Sequence, residues 1–175
     1  MIKLIVTDLD NTLLRSDKTI SGYTASVLKK CQDRGILIVL SFIRHTGEDL
    51  YSIGVRSVSK WNAVRAVAGH YGIDTDIIAA FGNDMDDLEM VRNCGIGVAV
   101  RNAVEEVKGS ADYICGSNDD DGVAKWIGRK KTDRNTLSSG ETEKQHEAFM
   151  DVFRAAGKRS GTQLETVFDG IPGEG

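Results

Sequence analysis

Short apolar runs alternate with segments of helical periodicity along most of this sequence. The runs are rich in Ile, Val, Leu and Ala, and they lie at residues 2–7, 36–40, 77–81, 96–100 and 111–115. Predicted helices follow the capping residues Ser21, Thr46 and Ser59, and shorter ones lie at 86–92, 103–108 and 121–127. Strands that alternate with helices indicate βαβ units. We therefore predict an α/β fold, a Rossmann-like three-layer sandwich with a mostly parallel sheet.

Three polar residues stand close behind predicted strands. Asp8 follows the first strand, Ser41 the second and Asn83 the third. The reactive loops of a parallel α/β sheet lie at the carboxyl ends of its strands. We therefore expect these three side chains to lie on one rim of the sheet.

The character of the sequence changes at Arg129. Residues 129–140 are polar, residues 141–156 have the pattern of one amphipathic helix, and residues 160–175 show no periodicity. We predict a folded core at 1–128 and a C-terminal appendage at 129–175, partly disordered, with a helix at 141–156.

Charge and hydropathy narrow the classes of function. Lys and Arg number 22 against 26 Asp and Glu, and the resulting net charge of −4 gives no electrostatic reason to bind nucleic acid or an anionic membrane. The longest apolar stretch, residues 36–43, is far shorter than the roughly 20 residues of a membrane helix. We expect no signal peptide. Three widely spaced cysteines fit neither a disulfide framework nor a zinc motif, so we expect a cytoplasmic protein with reduced thiols.

The most informative stretch is residues 8–12 (DLDNT), which directly follow the first apolar strand. Two carboxylates two residues apart can both face the rim of the sheet. Asp8 can then act as a nucleophile and Asp10 as a general acid and base, with a hard cation offsetting their repulsion. The alternative is a pair of ordinary turn aspartates.

Several segments together resemble the haloacid dehalogenase (HAD) superfamily, and within it the Cof-type phosphatases. The opening strand with residues 8–14 (DLDNTLL) is similar to the first motif of that family, and residues 82–90 (GNDMDDLEM) are similar to its acidic fourth motif. Residues 95–100 (GIGVAV) and 118–124 (NDDDGVA) also match its closing segment. The likeness covers roughly residues 1–128.

The resemblance implies a magnesium-dependent phosphomonoester hydrolase. Asp8 would become an aspartyl phosphate, and Asp10 would protonate the leaving oxygen. Lys60, at the third motif, would pair with Asp8 and the phosphoryl group. Mg²⁺ would be held by Asp8, by the backbone carbonyl of Asp10 and by Asn83.

Four further residues enter the expected site through the same resemblance. Asp84 and Asp87 are expected beside the metal ligands, with Asp84 replacing Asn83 as a ligand if the loop shifts. An ordinary acidic residue in the first turn of a helix is the other interpretation of Asp87. Ser41 and Arg44 are expected at the substrate, although a cation at the start of a helix accounts equally well for Arg44.

The sequence departs from the family in three places. Phe42 stands where the family carries a phosphate-binding Thr or Ser, and Ser41 offers its hydroxyl one residue early. Asn83 stands where many relatives have Asp. Only residues 46–59 separate the second and third motifs, too few for the cap domain of Cof-type relatives, so we predict that the cap is absent.

We therefore predict a capless phosphatase. Its substrate is a small phosphorylated molecule or a phosphorylated macromolecule, and a second copy of the chain can supply cover in a homo-oligomer. The alternative is a degenerate, non-catalytic relative that binds metal or phosphate, or serves in an interaction.

Overall fold

The computed structural model of the protein describes residues 1–41 and 59–130. The predicted helix behind Thr46 and the predicted helix at 141–156 lie outside the described residues, as do Phe42 and Arg44. The predicted partial disorder of the appendage stays a prediction.

A single parallel sheet forms the centre of the described part of the chain. Its strands stand in the order β2-β1-β3-β4-β5, and every neighbouring pair is parallel. The predicted strands are confirmed, with ends shifted by one or two residues. Their bounds are β1 (Leu4–Asp8), β2 (Leu37–Ser41), β3 (Ile78–Gly82), β4 (Ile96–Ala99) and β5 (Tyr113–Ile114).

Helices cover both faces of this sheet. Their bounds are α1 (Gly22–Gln32), α2 (Lys60–Tyr71), α3 (Leu88–Asn93), α4 (Glu105–Ser110) and α5 (Gly122–Lys130). Helix α1 contacts α5, while α3 contacts α2 and α4. Because parallel crossovers are right-handed and the strand order runs in both directions from β1, the two groups lie on opposite faces. The three-layer sandwich is confirmed. Helix α5 continues to Lys130, and the division of the chain after residue 128 stays a prediction.

The two serine caps predicted for α1 and α2 are present. The Ser21 hydroxyl accepts a hydrogen bond from the Thr24 backbone nitrogen at 3.0 Å, and the Ser59 hydroxyl accepts one from the Asn62 nitrogen at 3.2 Å. Gly72 ends α2 in the left-handed conformation, with φ 62°. Because Ser59 caps α2, Lys60 is the first residue of that helix.

The core lies on both faces of the two central strands. All residues of β1 and β3 are buried, as the sequence pattern of a parallel sheet predicts. The Phe81 ring meets Trp126 of α5 edge to face, with 5.3 Å between the ring centroids. No disulfide joins the three cysteines, all of which are buried. In the described residues, no helix has the length and apolar character needed to cross a membrane.

The direction of the strand order reverses at β1 and β3. From β1 the chain moves to β2 on one side, and from β3 it moves to β4 and β5 on the other. In open α/β sheets the crevice at such a switch point, outside the carboxyl ends of the strands, is where ligands bind. Asp8 ends β1, and Asn83 follows β3 directly.

Candidate active site

Asp8 is the last residue of β1, and only 5% of its surface is exposed. The chain then leaves the strand through a π-type turn, Leu9–Leu13, which is closed by a 2.8 Å hydrogen bond from the Leu14 nitrogen to the Leu9 carbonyl. Asn11 occupies the left-handed region inside this turn, with φ 58°. The turn brings the Asp10 backbone carbonyl close to the side chain of Asn83, which follows β3.

Lys60 makes two ion pairs inside the site. Its ammonium nitrogen lies 2.6 Å from Asp8 Oδ1 and 2.6 Å from Asp87 Oδ1. The three side chains are at most 8% exposed. One cation between two carboxylates leaves this buried group with a net negative charge. The predicted contact between Lys60 and Asp8 is present, and the structure adds Asp87 as a second partner.

The charges of this group shift each other's protonation. Burial raises the pKa of Asp8 to about 6, the Asp87 carboxylate adds to the rise, and Lys60 opposes it. Burial by itself would lower the pKa of Lys60, but Asp8 and Asp87 outweigh it and hold the pKa above its ordinary value. The lysine is therefore charged at neutral pH.

Asp87 also shapes the loop that follows β3. Its Oδ2 atom accepts hydrogen bonds from the backbone nitrogens of Asn83 at 2.8 Å and Asp84 at 3.1 Å. Asp84 accepts one from the Met85 nitrogen at 2.7 Å and so caps a 3₁₀ turn at Met85–Asp87. This turn precedes α3, so the helix predicted at 86–92 begins later than the sequence pattern indicates. Asp87 is fully buried and also lies in the helical turn that leads into α3, so both interpretations of this residue are compatible with its position and its role stays a prediction.

The end of the Asn83 side chain faces a cluster of oxygen atoms. With its amide nitrogen on this side, the group donates to Asp8 Oδ2 at 3.2 Å, to the Asp10 carbonyl at 3.1 Å and to Thr12 Oγ1 at 2.8 Å. With its oxygen on this side, it accepts a 2.8 Å hydrogen bond from Thr12. In either orientation, Asn83, Asp8 and the Asp10 carbonyl meet at one point. Asp84 is directed elsewhere, since its carboxylate caps the turn.

The Asp10 carboxylate is exposed to solvent, in contrast to the buried carboxylate of Asp8. It is 55% exposed and lies 2.7 Å from the Lys18 ammonium nitrogen. Ser41, half-buried at the end of β2, stands beside Asp8 in the register of the sheet. No hydrogen bond joins the side chains of Ser41 and Asp8, so the role of Ser41 stays a prediction. Arg44 lies outside the described residues.

Two residues of the site were missed by the sequence interpretation. Thr12 contacts Asn83 across a sequence separation of 71 residues, and Lys18 contacts Asp10. Thr12 lies within the quoted first motif, so its place there could have indicated it. Lys18 follows no periodic pattern, and its backbone is left-handed, with φ 65°.

The donors gathered here are oxygen atoms of different kinds. Asp8 offers a carboxylate, Asp10 a backbone carbonyl and Asn83 an amide. In residues 1–41 and 59–130, no three His, Cys, Asp or Glu side chains are grouped so that they could hold a metal ion. A cation at this rim would depend on backbone and amide oxygens, which suit hard ions such as Mg²⁺.

Comparison with known proteins assigns the family. The parallel sheet with acidic residues at its switch point defines an α/β protein with a polar site at the carboxyl rim. The model of the haloacid dehalogenase-like hydrolases matches residues 5–47 and 42–127. The chain therefore belongs to the haloacid dehalogenase-like hydrolases. The two matched pieces meet at residues 42–47, which is compatible with a missing cap.

Curated relatives match only a part of their own length. The stress response protein YhaX of Bacillus subtilis is 43% identical over 82 residues, which are 47% of this chain and 28% of YhaX. The 5-amino-6-(5-phospho-D-ribitylamino)uracil phosphatase YcsE of the same organism is 36% identical over 75 residues, 43% of this chain and 30% of YcsE. The chain thus spans less than a third of the length of either relative.

Solved structures share the fold. A haloacid dehalogenase-like hydrolase from Bacteroides thetaiotaomicron aligns with a TM-score of 0.65 at 20% identity, over 74% of this chain and 100% of that one. The phosphatase BT1666 from the same organism aligns with a TM-score of 0.62 at 17% identity, over 74% and 95% of the two chains. At these identities the likeness establishes the fold alone.

Gly82→Ala is expected to destabilise the protein by about 1–3 kcal/mol. A Cβ atom at this position would lie 2.4 Å from Asp87 Cβ, so the buried aspartate would have to move. The measurement is the free energy of unfolding in urea. Gly69→Ala in α2 is the control, because a Cβ there meets nothing within 4 Å. This variant should be more stable than the wild-type protein by about 0.5–1 kcal/mol. Equal behaviour of the two variants would contradict this packing.

Lys60→Met is expected to lower the free energy of unfolding of the metal-free protein by about 3–5 kcal/mol, because it leaves two buried carboxylates without their cation. Lys29→Met is the matched control, because Lys29 pairs with Asp33 on the exposed surface of α1 at 3.6 Å. Such a pair contributes less than about 1 kcal/mol. A loss no larger for Lys60→Met than for the control would contradict the buried charge group.

Proposed function

We propose that this chain is a phosphatase that hydrolyses phosphomonoesters with Mg²⁺. The observation that carries the proposal is the 2.6 Å contact between Lys60 and Asp8, beside the point where Asn83 and the Asp10 carbonyl meet Asp8. A buried aspartate with a lysine on one oxygen and a group of oxygen donors at the other suits a nucleophile for phosphoryl transfer. Family membership supports the same chemistry.

The proposed reaction has two steps. An oxygen of Asp8 attacks phosphorus and forms an aspartyl phosphate, while the bond from phosphorus to the leaving oxygen breaks. That oxygen keeps the bonding electron pair and takes a proton from Asp10. Water then attacks the phosphorus and gives its proton to Asp10. The bond to Asp8 breaks, which releases inorganic phosphate and restores the carboxylate.

The exposure of the Asp10 carboxylate supports the proposed proton transfers. This carboxylate is on the exposed side of the site, where a leaving group would lie, while the Asp10 carbonyl faces inward to Asn83. Lys60, buried between Asp8 and Asp87, would offset negative charge on the transferred phosphoryl group. The backbone carbonyl of Asp10 would thus bind the cation, while its carboxylate would transfer the proton.

The donor set fits Mg²⁺. Neighbouring ligand oxygens in an octahedral site stand about 2.9 Å apart, because each lies about 2.0–2.1 Å from the ion. The facing atom of Asn83 lies 3.2 Å from Asp8 Oδ2 and 3.1 Å from the Asp10 carbonyl, close to that spacing. When bound, Mg²⁺ would neutralise charge on the phosphoryl oxygens. Asp8, Asp10 and Asn83 would hold it, and Asp87 would support the loop that carries Asn83.

The relatives support a class of substrate, the phosphomonoesters, and not a particular compound. YcsE is named as a phosphatase of a phosphorylated small molecule, and we extend to this chain the class of phosphomonoesters. A small phosphorylated molecule is the proposed substrate. A phosphorylated macromolecule is the second candidate, because residues 42–59, which separate Ser41 from Lys60, are too few for a cap domain. The non-catalytic alternative is favoured by Phe42 and by the predicted absence of the cap domain, and it predicts that Asp8 is dispensable.

The central test is hydrolysis of p-nitrophenyl phosphate with Mg²⁺ by the whole chain. Asp8→Asn is expected to lower kcat at least about a hundredfold, because the nucleophile is lost. Asp33→Asn removes a carboxylate from the exposed end of α1 and should leave kcat unchanged. Absence of activity in the wild-type protein, or equal activity of the Asp8 variant, would contradict the proposal.

Asp10→Asn tests the proton transfer separately. A nitrophenolate leaves without help from an acid, whereas an alkoxide needs a proton. We expect the variant to lower kcat for both substrates, and the fold-loss for an alkyl phosphate should be at least about ten times the fold-loss for p-nitrophenyl phosphate. General acid catalysis typically contributes roughly 10²–10⁴-fold to a rate. An equal loss on both substrates would show that Asp10 acts otherwise.

A further inference from the structure

The Asn83 amide can turn either of its ends toward the proposed metal position. Its backbone is held on both sides, since its nitrogen donates to Asp87 Oδ2 at 2.8 Å and its carbonyl accepts from the Val104 nitrogen at 2.9 Å. The remaining freedom is in the side chain. A half-turn of the amide exchanges its nitrogen and oxygen with little change in shape.

The two orientations make different contacts without a cation. With the oxygen facing inward, one neighbour, Thr12, donates to it, while Asp8 Oδ2 and the Asp10 carbonyl can only accept. With the nitrogen facing inward, Asn83 donates toward all three partners, at 2.8–3.2 Å. A neutral amide has two donor hydrogens to share among these oxygens. The metal-free protein therefore favours the nitrogen-inward orientation.

A cation reverses this preference. Mg²⁺ binds oxygen ligands, so an inward NH₂ group would repel it and occupy part of its space. The oxygen-inward orientation instead adds a third donor to Asp8 and the Asp10 carbonyl. Thr12 can serve both states, because its hydroxyl accepts from the nitrogen and donates to the oxygen.

We propose that the nitrogen of the Asn83 amide donates to Asp8 and the Asp10 carbonyl in the metal-free protein. When Mg²⁺ binds, the amide rotates by half a turn, so that its oxygen becomes a ligand. This inference rests on the metal site of the proposed function. Asn83 thereby sets the affinity of the site. It stabilises the empty state, and binding has to break its hydrogen bonds to Asp8 and Asp10.

An aspartate at this position would behave in the opposite way. Its carboxylate cannot donate, and it would stand about 3 Å from the Asp8 carboxylate, where like charges repel. The metal-free protein would lose stability, and the bound state would gain a charged ligand. The substitution Asn83→Asp therefore separates the effect of residue 83 on the stability of the metal-free protein from its effect on the affinity for Mg²⁺.

The experiment measures thermal unfolding and Mg²⁺ binding of the whole chain. In EDTA, Asn83→Asp is expected to lower Tm by about 4–10 °C, because hydrogen bonds to a charged group are lost and a repulsion is added. With Mg²⁺, its Tm should rise by more than that of the wild type. Its Kd for Mg²⁺, measured by titration calorimetry, should be at least about tenfold lower.

Asn93→Asp is the matched control. Asn93 is exposed at the end of α3 and donates to the Glu89 carbonyl at 2.7 Å, and its exchange adds the same charge away from the rim. It should change neither the Tm gained from Mg²⁺ nor the Kd. Asn83→Asp behaving like this control in EDTA would overturn the inference.

A measurement on the wild-type protein does not depend on the folding of a variant. In ¹H–¹⁵N spectra, the side-chain NH₂ signals of Asn83 should exchange slowly with water in EDTA, then shift and lose protection with Mg²⁺. Unchanged signals in a protein that binds Mg²⁺ and hydrolyses phosphomonoesters would overturn the rotation and leave the proposed function standing. Absence of Mg²⁺ binding by the wild type would overturn both.

Discussion

The buried ammonium group of Lys60 is the interaction on which the site depends. It joins the end of β1, the start of α2 and the loop after β3, through Asp8 and Asp87 at 2.6 Å each. Removing three charges from water is costly, and the mutual attraction offsets this only with close geometry and further hydrogen bonds. Asp87 has those bonds, since its second oxygen accepts two backbone N–H groups. The rim is therefore organised by the chain's own charges, before any cation binds.

This arrangement explains why much of the site could be predicted from the sequence. Asp8 and Asn83 each follow a strand of one parallel sheet, so the fold alone brings them to the same rim. Lys60 required more, because 52 residues separate it from Asp8, and only the resemblance to the third motif indicated the contact. The strands and helices followed from runs of apolar residues and from serine caps, which are local signals.

The missed contacts depend on features that no local pattern contains. Lys18 reaches Asp10 from a turn that is attached to a distant loop, since Ser16 binds Asp119 at 2.8 Å and Arg15 binds Asp121 at 3.1 Å. The full burial of Asp87 follows from its contact with Lys60 and from the absence of a side chain at Gly82. These are long-range packing effects, whereas an acidic residue near the start of a helix has by itself an ordinary explanation.

The negative charge already present at the rim favours a neutral side chain at position 83. Asp8, Lys60 and Asp87 together carry one net negative charge, and a phosphomonoester brings about −1.5 to −2 more near pH 7. A divalent cation would offset most of this sum. A carboxylate at position 83 would strengthen the hold on the cation, but it would add repulsion in the metal-free protein and again toward the incoming phosphate. In the proposed metal site, an amide would provide the ligand oxygen without that charge, at the cost of weaker binding of the cation.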